Sequence, residues 1–248
     1  MKSSTEKIVF ESPEKKHFES MVDDHEGLLL SMVLNLLKES NPEAIESKLG
    51  EGRLAKVFEI GHIFNCCVKI LKTERDESVI QSQSLTSEVE MQDKMSGIGR
   101  SGVKVPQPYV WVRMRPEADD NLKESVVEFF FMEKIKGASL EDVFKGIKPL
   151  PDKFDFESFF KKISDFVTEM NERHIFHRDL HKGNVMIDEE GNPCVIDFGT
   201  TVSVWGDDDN EIYRDRKPDG GVIMYPKDPV SVKKLRAEMR EWLTNHNK

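Results

Sequence analysis

Apolar and polar positions follow two different rhythms along the chain, and the change of rhythm divides it. The first sixteen residues are polar and predict a loose N-terminal stretch. From His17 to Lys38, the residues Phe18, Met21, Val22, Leu29, Val33, Leu36 and Leu37 recur at helical spacing, which predicts an amphipathic helix. Between Lys48 and Leu71 the pattern becomes strand-like and broken by glycine, with runs at Lys48–Leu49, Lys56–Ile60 and Asn65–Leu71. A helix is predicted from Ser78 to Met95, then strands at Tyr109–Met114 and Val126–Met132. The second of these strands is almost continuously apolar, as a strand covered on both faces requires.

Beyond Gly137 the rhythm turns helical. Phe156, Phe159, Phe160, Ile163, Phe166, Val167 and Met170 mark a long helix ending near Arg173. Val185–Ile187 and Cys194–Ile196 flank the turn signal Glu189–Pro193 and predict a hairpin. Gly206 to Gly221 is acidic and turn-rich, a predicted loop. Asp228 as N-cap and Pro229 in the first turn open a closing helix that carries Val232, Leu235, Met239, Trp242 and Leu243 on one face. Strands first and helices after imply an α+β chain in two lobes. The expected division is an extension over residues 1–45, a first lobe over 46–132 and a second over 133–248.

Composition narrows the class. The 248 residues contain 36 Lys plus Arg against 46 Asp plus Glu, a formal charge of −10. That acid excess argues against a nucleic-acid partner, which needs a basic face to displace counterions. Cys66, Cys67 and Cys194 are too few and too badly spaced for a disulfide scaffold or a zinc site, so a reducing, cytoplasmic compartment is expected, or a host cytosol for a delivered effector. The most apolar stretch, Gly27 to Leu37, is about half the ~20 residues a membrane-spanning helix needs.

Four features then occur in one order. Leu49-Gly50-Glu51-Gly52-Arg53-Leu54-Ala55-Lys56-Val57 lies between two predicted strands, and its glycines let a hairpin approach phosphates and offer them backbone N–H groups. Lys69 sits inside an apolar strand, where an unpaired ammonium is costly; Glu88 and Glu90 on the next helix are both available partners, and Glu88 shares its side with Leu85, Met91 and Met95. His177-Arg178-Asp179-Leu180-His181-Lys182-Gly183-Asn184 follows the long helix. Its aspartate can take the proton of an attacking hydroxyl while the asparagine amide oxygen ligates magnesium. Ile196-Asp197-Phe198-Gly199 follows the hairpin and places a second carboxylate to bridge metal and phosphate.

Together these four segments resemble the protein-kinase superfamily over about Lys48 to Thr201. The resemblance implies a bilobal protein-kinase-like fold, with an antiparallel β first lobe and a reduced, mainly helical second lobe, acting on ATP and magnesium. It implies that Gly50 and Gly52 cover the phosphates and that Lys69, oriented by Glu88, holds two of them. Asp179 would be the base, with Asn184 and Asp197 as magnesium ligands. Adenine would lie between Val57 and Cys67 above and Met186 below, with Met132 as gatekeeper and the backbone of Glu133 and Ile135 as its hydrogen-bonding partner.

Three departures qualify what is implied. Ala55 replaces the third glycine of the loop, and His181 stands where Ser/Thr protein kinases usually carry lysine, although Lys182 follows. The same D-L-H-x-G-N form resembles aminoglycoside and choline phosphotransferases. Only 248 − 199 = 49 residues follow Gly199, without an Ala-Pro-Glu segment. That length is similar to the minimal kinases, namely bacterial effector kinases and the kinase-like ATPase of the KEOPS complex. Switching by phosphorylation of the segment after Gly199 is therefore not expected, even with Arg178 present, and acceptor recruitment is expected on the N-terminal helix or a partner protein. The leading expectation is a minimal Ser/Thr protein kinase. The alternatives are a small-molecule kinase, or a nucleotide-binding docking module or ATPase with little transfer.

Overall fold

The computed structural model describes residues 5–9, 47–52, 55–60, 65–71, 85–97, 101–114, 127–204, 212–216 and 220–246. The helix expected over His17–Lys38, the loop residues Arg53 and Leu54, and the acidic run Asp207–Glu211 lie outside the described residues. Two compact units form: Met1–Glu77 with Gln107–Lys134, and Ser78–Pro106 with Ile135–Lys248. No described helix is long and apolar enough to cross a membrane.

The first unit is an antiparallel six-stranded sheet. Its strands are β1 (Thr5–Val9), β2 (Lys48–Glu51), β3 (Ala55–Glu59), β4 (Cys66–Leu71), β5 (Pro108–Met114) and β6 (Val127–Glu133), in the order β1-β5-β6-β4-β3-β2. Strands β4 and β6 lie in the middle, which explains their largely apolar character: Cys66, Cys67, Val68, Ile70, Phe129, Phe130 and Phe131 are all buried, with Lys69 and Glu128 the charged exceptions. Strand β1 corrects the expectation of a loose N-terminus. Thr5–Val9 pairs with the outer edge of β5, Thr5 opposite Met114 and Val9 opposite Val110. An unpaired row of β5 backbone groups supplies a reason for order that a polar five-residue stretch does not advertise.

Four of the described helices fall in the second unit. Helix α1 (Leu85–Ser96) lies within it, because Met95 joins the apolar cluster of that unit. Sequence order alone assigns α1 to the first lobe, and the packing of Met95 corrects that. After β7 (Gly137–Ser139) and α2 (Leu140–Phe144), helix α3 (Phe156–Glu172) is capped by Asp155, whose side chain accepts the Ser158 N–H. Its stripe of Phe159, Phe160, Ile163, Phe166, Val167 and Met170 is buried, as the 3.6-residue period predicts. Val232, Leu235 and Met239 of α4 (Asp228–His246) share that core.

Short strands punctuate the second unit: β8 (Ile175–Phe176), β9 (Val185–Asp188), β10 (Pro193–Val195) and β11 (Val202–Ser203). The expected hairpin forms, with Val185 opposite Val195 and Met186 opposite Cys194. The stretch that reads as a plain loop, Gly206 to Gly221, holds β12 (Arg214–Arg216), which pairs with β13 (Val222–Met224) just beyond it to form a two-stranded ribbon. Ile212 and Tyr213 pack with Phe176 at its base. An acidic, turn-rich composition hides the first of these three-residue strands, whose stability comes from docking rather than from propensity.

Phe160 is fully buried, with the Phe156 and Phe159 rings 5.1 and 5.3 Å away. Phe160→Ala is expected to cost about 3–5 kcal/mol of stability, read from the shift of the urea unfolding midpoint.

Candidate active site

The segment 177–184 leaves β8 and enters β9, and it makes almost no regular structure of its own. Its backbone is held by side chains. The carboxylate of Asp228 is fully buried and accepts the N–H of His177 at 2.7 Å and of Arg178 at 2.8 Å. Sequence reading assigns Asp228 to the helix N-cap. The carbonyl of Lys227 instead receives the N–H groups of Val230 and Ser231, and the carboxylate serves the loop fifty residues away. No local signal separates these two uses of an aspartate before a proline. Burial pushes the Asp228 carboxyl upward, with His177, Arg178 and the two N–H donors pulling it back.

His177 is the second anchor. Its Nε2 lies 3.2 Å from the Ile196 carbonyl and its Nδ1 accepts the Asp179 N–H at 3.3 Å. Donating at one nitrogen and accepting at the other requires the neutral ring. Burial lowers the His177 pKa despite the carboxylates of Asp228, Asp197 and Asp179 nearby. The hydroxyl of Thr200 donates to the His177 carbonyl at 2.9 Å, so residues on both sides of Asp197 are tied to the same histidine.

These anchors bring four of the expected residues together. The Asn184 Nδ2 donates to the Asp179 carbonyl at 2.9 Å and to its Oδ2 at 3.3 Å, which leaves Oδ1 as the acceptor of that amide. Ile196 N–H donates to the Asn184 carbonyl, linking the loop to the strand that delivers Asp197. Asp197 is exposed and held at φ 62°, a left-handed conformation that a non-glycine residue adopts at some cost. A Cβ on Gly199 would lie 3.1 Å from Asp197 Oδ1 and 3.3 Å from Glu88 Oε2, so both carboxylates converge on this glycine. Of the two acids of α1, Glu88 is 6% exposed and turned into the protein, whereas Glu90 is exposed.

Among the described residues, no group of three or more His, Cys, Asp or Glu side chains is gathered as a metal cage. Asn184 Oδ1 and the Asp197 carboxylate are two hard oxygen donors. Such a pair suits magnesium, which keeps several waters and takes substrate phosphate oxygens.

His181 lies beside the candidate base, its Nε2 3.7 Å from Asp179 Oδ2, while its Nδ1 accepts the Gly183 N–H at 2.9 Å. Asp179 raises the His181 pKa above the ordinary 6.5, with Asp197 and Glu141 adding to it. Lys182 is exposed, and its carbonyl accepts the Glu141 N–H.

The remaining expected residues belong to the sheet unit, with two exceptions. Gly50 pairs with Val57, Val57 with Lys69, and Cys67 with Met132. Residues directly opposite share a face, and so do alternate residues of one strand. Gly50, Val57, Cys67, Lys69 and Met132 therefore lie on one face of the sheet. Gly52 N–H donates to the Ala55 carbonyl at 2.9 Å, closing the turn. A Cβ at Gly50 would meet nothing within 4 Å, so the fold itself has no packing need for that glycine, and a ligand over the hairpin would supply one. The Glu133 N–H is already given to the Gln107 carbonyl at 2.8 Å, which narrows its expected offer to the carbonyl. Burial pushes the Cys67 thiol up to about 12, so it is protonated and inert. Ile135 and Met186 fall in the second unit.

Two outcomes test this geometry. Asp228→Ala is expected to strand two buried N–H groups and to lower stability by about 2–4 kcal/mol, measured by urea unfolding. His181, with its pKa raised in the folded chain, adds stability that is complete below pH 6.5 and lost as pH rises through the raised value. Asp179→Asn is expected to bring the His181 titration midpoint, followed by NMR of its ring protons, back down toward 6.5.

Comparison with known proteins places this arrangement. The family model for the protein kinase domain matches residues 44–214. Mitogen-activated protein kinase kinase 2 of Arabidopsis thaliana is 33% identical over 70 residues, 28% of this chain and 19% of that protein. Mitogen-activated protein kinase kinase SIPKK of Nicotiana tabacum is 27% identical over 95 residues, 38% of this chain and 25% of that protein. CBL-interacting serine/threonine-protein kinase 16 of Arabidopsis thaliana is 27% identical over 154 residues, 61% of this chain and 30% of that protein. The matched region thus spans less than a third of each of these relatives. With the family model covering well over half its length, the chain belongs to the protein kinase domain family.

Proposed function

We propose that this chain transfers the γ-phosphoryl group of ATP to a serine or threonine hydroxyl of a protein, with Asp179 as the base. The observation that carries the reading is the Asp179–Asn184–Asp197 constellation, fixed by hydrogen bonds through His177 and Asp228. Phosphoryl transfer asks a protein mainly for positioning and charge, and these contacts supply position.

In this reading the sheet face of Gly50, Val57, Cys67 and Met132 covers the nucleotide, and Lys69 holds its phosphates with Glu88 as the orienting acid. Glu133 and Ile135 meet the adenine edge through their backbone, and Met186 lies beneath it. Asn184 and Asp197 hold magnesium, which neutralises phosphate charge when bound. Asp179 orients the acceptor hydroxyl and takes its proton as the oxygen–phosphorus bond forms. The bond from the γ-phosphorus to the bridging oxygen breaks, and ADP leaves. The His181 ring, whose pKa Asp179 raises, stands beside that carboxylate, where the negative charge of the transferring group gathers.

A protein acceptor is favoured over a small molecule because the relatives are named as kinases of other kinases or of serine and threonine. Three buried cysteines, none of them in a disulfide, suit a reducing compartment such as the cytoplasm.

Asp179→Asn is expected to lower kcat by about a hundred- to ten-thousand-fold while ATP still binds. Transfer of labelled γ-phosphate to a mixed protein acceptor pool, followed by phosphoamino-acid analysis, measures the rate and the residue modified. Equal rates in both forms, or label found solely on a metabolite, would overturn the assignment.

A further inference from the structure

Arg178 precedes the candidate base, and its side chain is 3% exposed. Guanidinium stays charged in any protein, so a buried one needs an anion and a polarisable surface. Both come from the segment following Gly199. The Asp215 carboxylate on β12 lies 2.8 Å from the Arg178 Nη2, and the Tyr225 ring stacks on the guanidinium at 4.1 Å from its centroid. Neither Nη2 nor Nε meets hydrogen-bond geometry, so the contact is an ion pair rather than a bidentate fork. Arg178 itself is held at φ 71°, with its N–H given to Asp228. One residue therefore joins three elements: the loop before Asp179, the start of α4, and the β12–β13 ribbon.

We propose that Asp215 is a positioning residue whose carboxylate, with the Tyr225 ring, permanently supplies the counter-charge of Arg178, so that the loop carrying Asp179 is set without phosphate on the segment after Gly199. That segment offers hydroxyls at Thr200, Thr201, Ser203 and Tyr213 that could carry phosphate in principle. The anion site at Arg178 is filled by the chain's own side chain, and a phosphate arriving there would have to displace it. Several contacts keep the carboxylate in place. Ile212 and Tyr213 pack on Phe176, Tyr225 N–H donates to the Tyr213 carbonyl at 2.8 Å, and β11 pairs with β8 at Phe176 and Ile175.

The proposal rests on the kinase reading for its consequence in turnover, and the test separates the two. Phosphatase-treated full chain, verified free of phosphate by mass spectrometry, is compared with Asp215→Asn, Asp215→Glu and Tyr225→Leu. Two readouts are followed: kcat and KM for ATP in the transfer assay, and hydrogen-exchange rates of the His177, Arg178 and Asp179 amides. The stripped wild-type chain is expected to keep its kcat within about twofold. Asp215→Asn is expected to lose about tenfold or more in kcat with little change in KM, and to exchange faster at the three amides, with Asp215→Glu recovering part of both. Tyr225→Leu keeps the ion pair and is expected to fall between; it carries the test if Asp215→Asn does not fold. A stripped wild-type chain that loses activity, or Asp215→Asn and Tyr225→Leu variants that match wild type in both readouts, would overturn the proposal. A wild-type chain inactive in every transfer assay would overturn the kinase reading instead, and the exchange rates would still decide whether Asp215 holds the loop.

Discussion

A carboxylate removed from water at the head of a helix sets the terms for the second unit. Asp228 gives up hydration to accept two backbone N–H groups of a segment that forms neither helix nor strand. Left alone, those donors would be buried and unsatisfied, and the loop would relax toward solvent. Once they are fixed, the neutral imidazole of His177 can reach forward to the Asp179 N–H and across to the Ile196 carbonyl. Position is thereby passed from α4 to the loop, and from the loop to the residues after β10 that carry Asp197. A chain of this kind is stiff because each member uses a different atom: no donor or acceptor in it serves twice.

The sequence made part of this legible. Long elements with a clear period, such as α3 and the buried strands β4 and β6, are readable because burial on a face or on both faces dictates their composition. Asp179, Asn184, Asp197 and Lys69 are readable because their residue types sit in a tight order that chance seldom produces. Glu88 over Glu90 follows from helical geometry, and its burial agrees. Elements whose stability comes from a distant partner are not readable. Strand β1 exists because β5 has an edge to offer, the ribbon of β12 and β13 because Phe176 and Arg178 receive it, and the role of Asp228 because a loop fifty residues earlier needs acceptors. The membership of α1 in the second unit depends on what Met95 touches, not on where it lies along the chain.

The sheet unit follows a different logic. Its expected nucleotide-facing residues are spread over four strands, yet antiparallel register collects them on one face without any special contact among them. A single-residue slip in β3 or β4 would send Val57, Cys67 and Lys69 to the opposite side. Register here is guarded by the opposite face of the same strands, where Val68 and Ile70 are completely buried. Core packing on one side therefore specifies chemistry on the other, because a slip would press the Lys69 ammonium into the apolar packing that Val68 and Ile70 now fill.

Charge is distributed with the same restraint. Asp179, Asp197 and Glu141 all act on His181, and their sum is enough to raise its pKa although the ring is half exposed. The His177 ring, four residues earlier, feels Asp179, Asp197 and Asp228 as well, yet its pKa falls because burial dominates there. Two histidines in one loop thus diverge because the Asp179 carboxylate hydrogen-bonds the His181 ring, whereas loss of water outweighs the carboxylates around His177. The buried ring is neutral because one nitrogen donates to the Ile196 carbonyl while the other accepts the Asp179 N–H, and the exposed ring is drawn toward its charged form by Asp179. The His177 ring packs on Phe198, and its own backbone N–H, with that of Arg178, is taken by the Asp228 carboxylate, so ring and backbone of one residue are both fixed away from water.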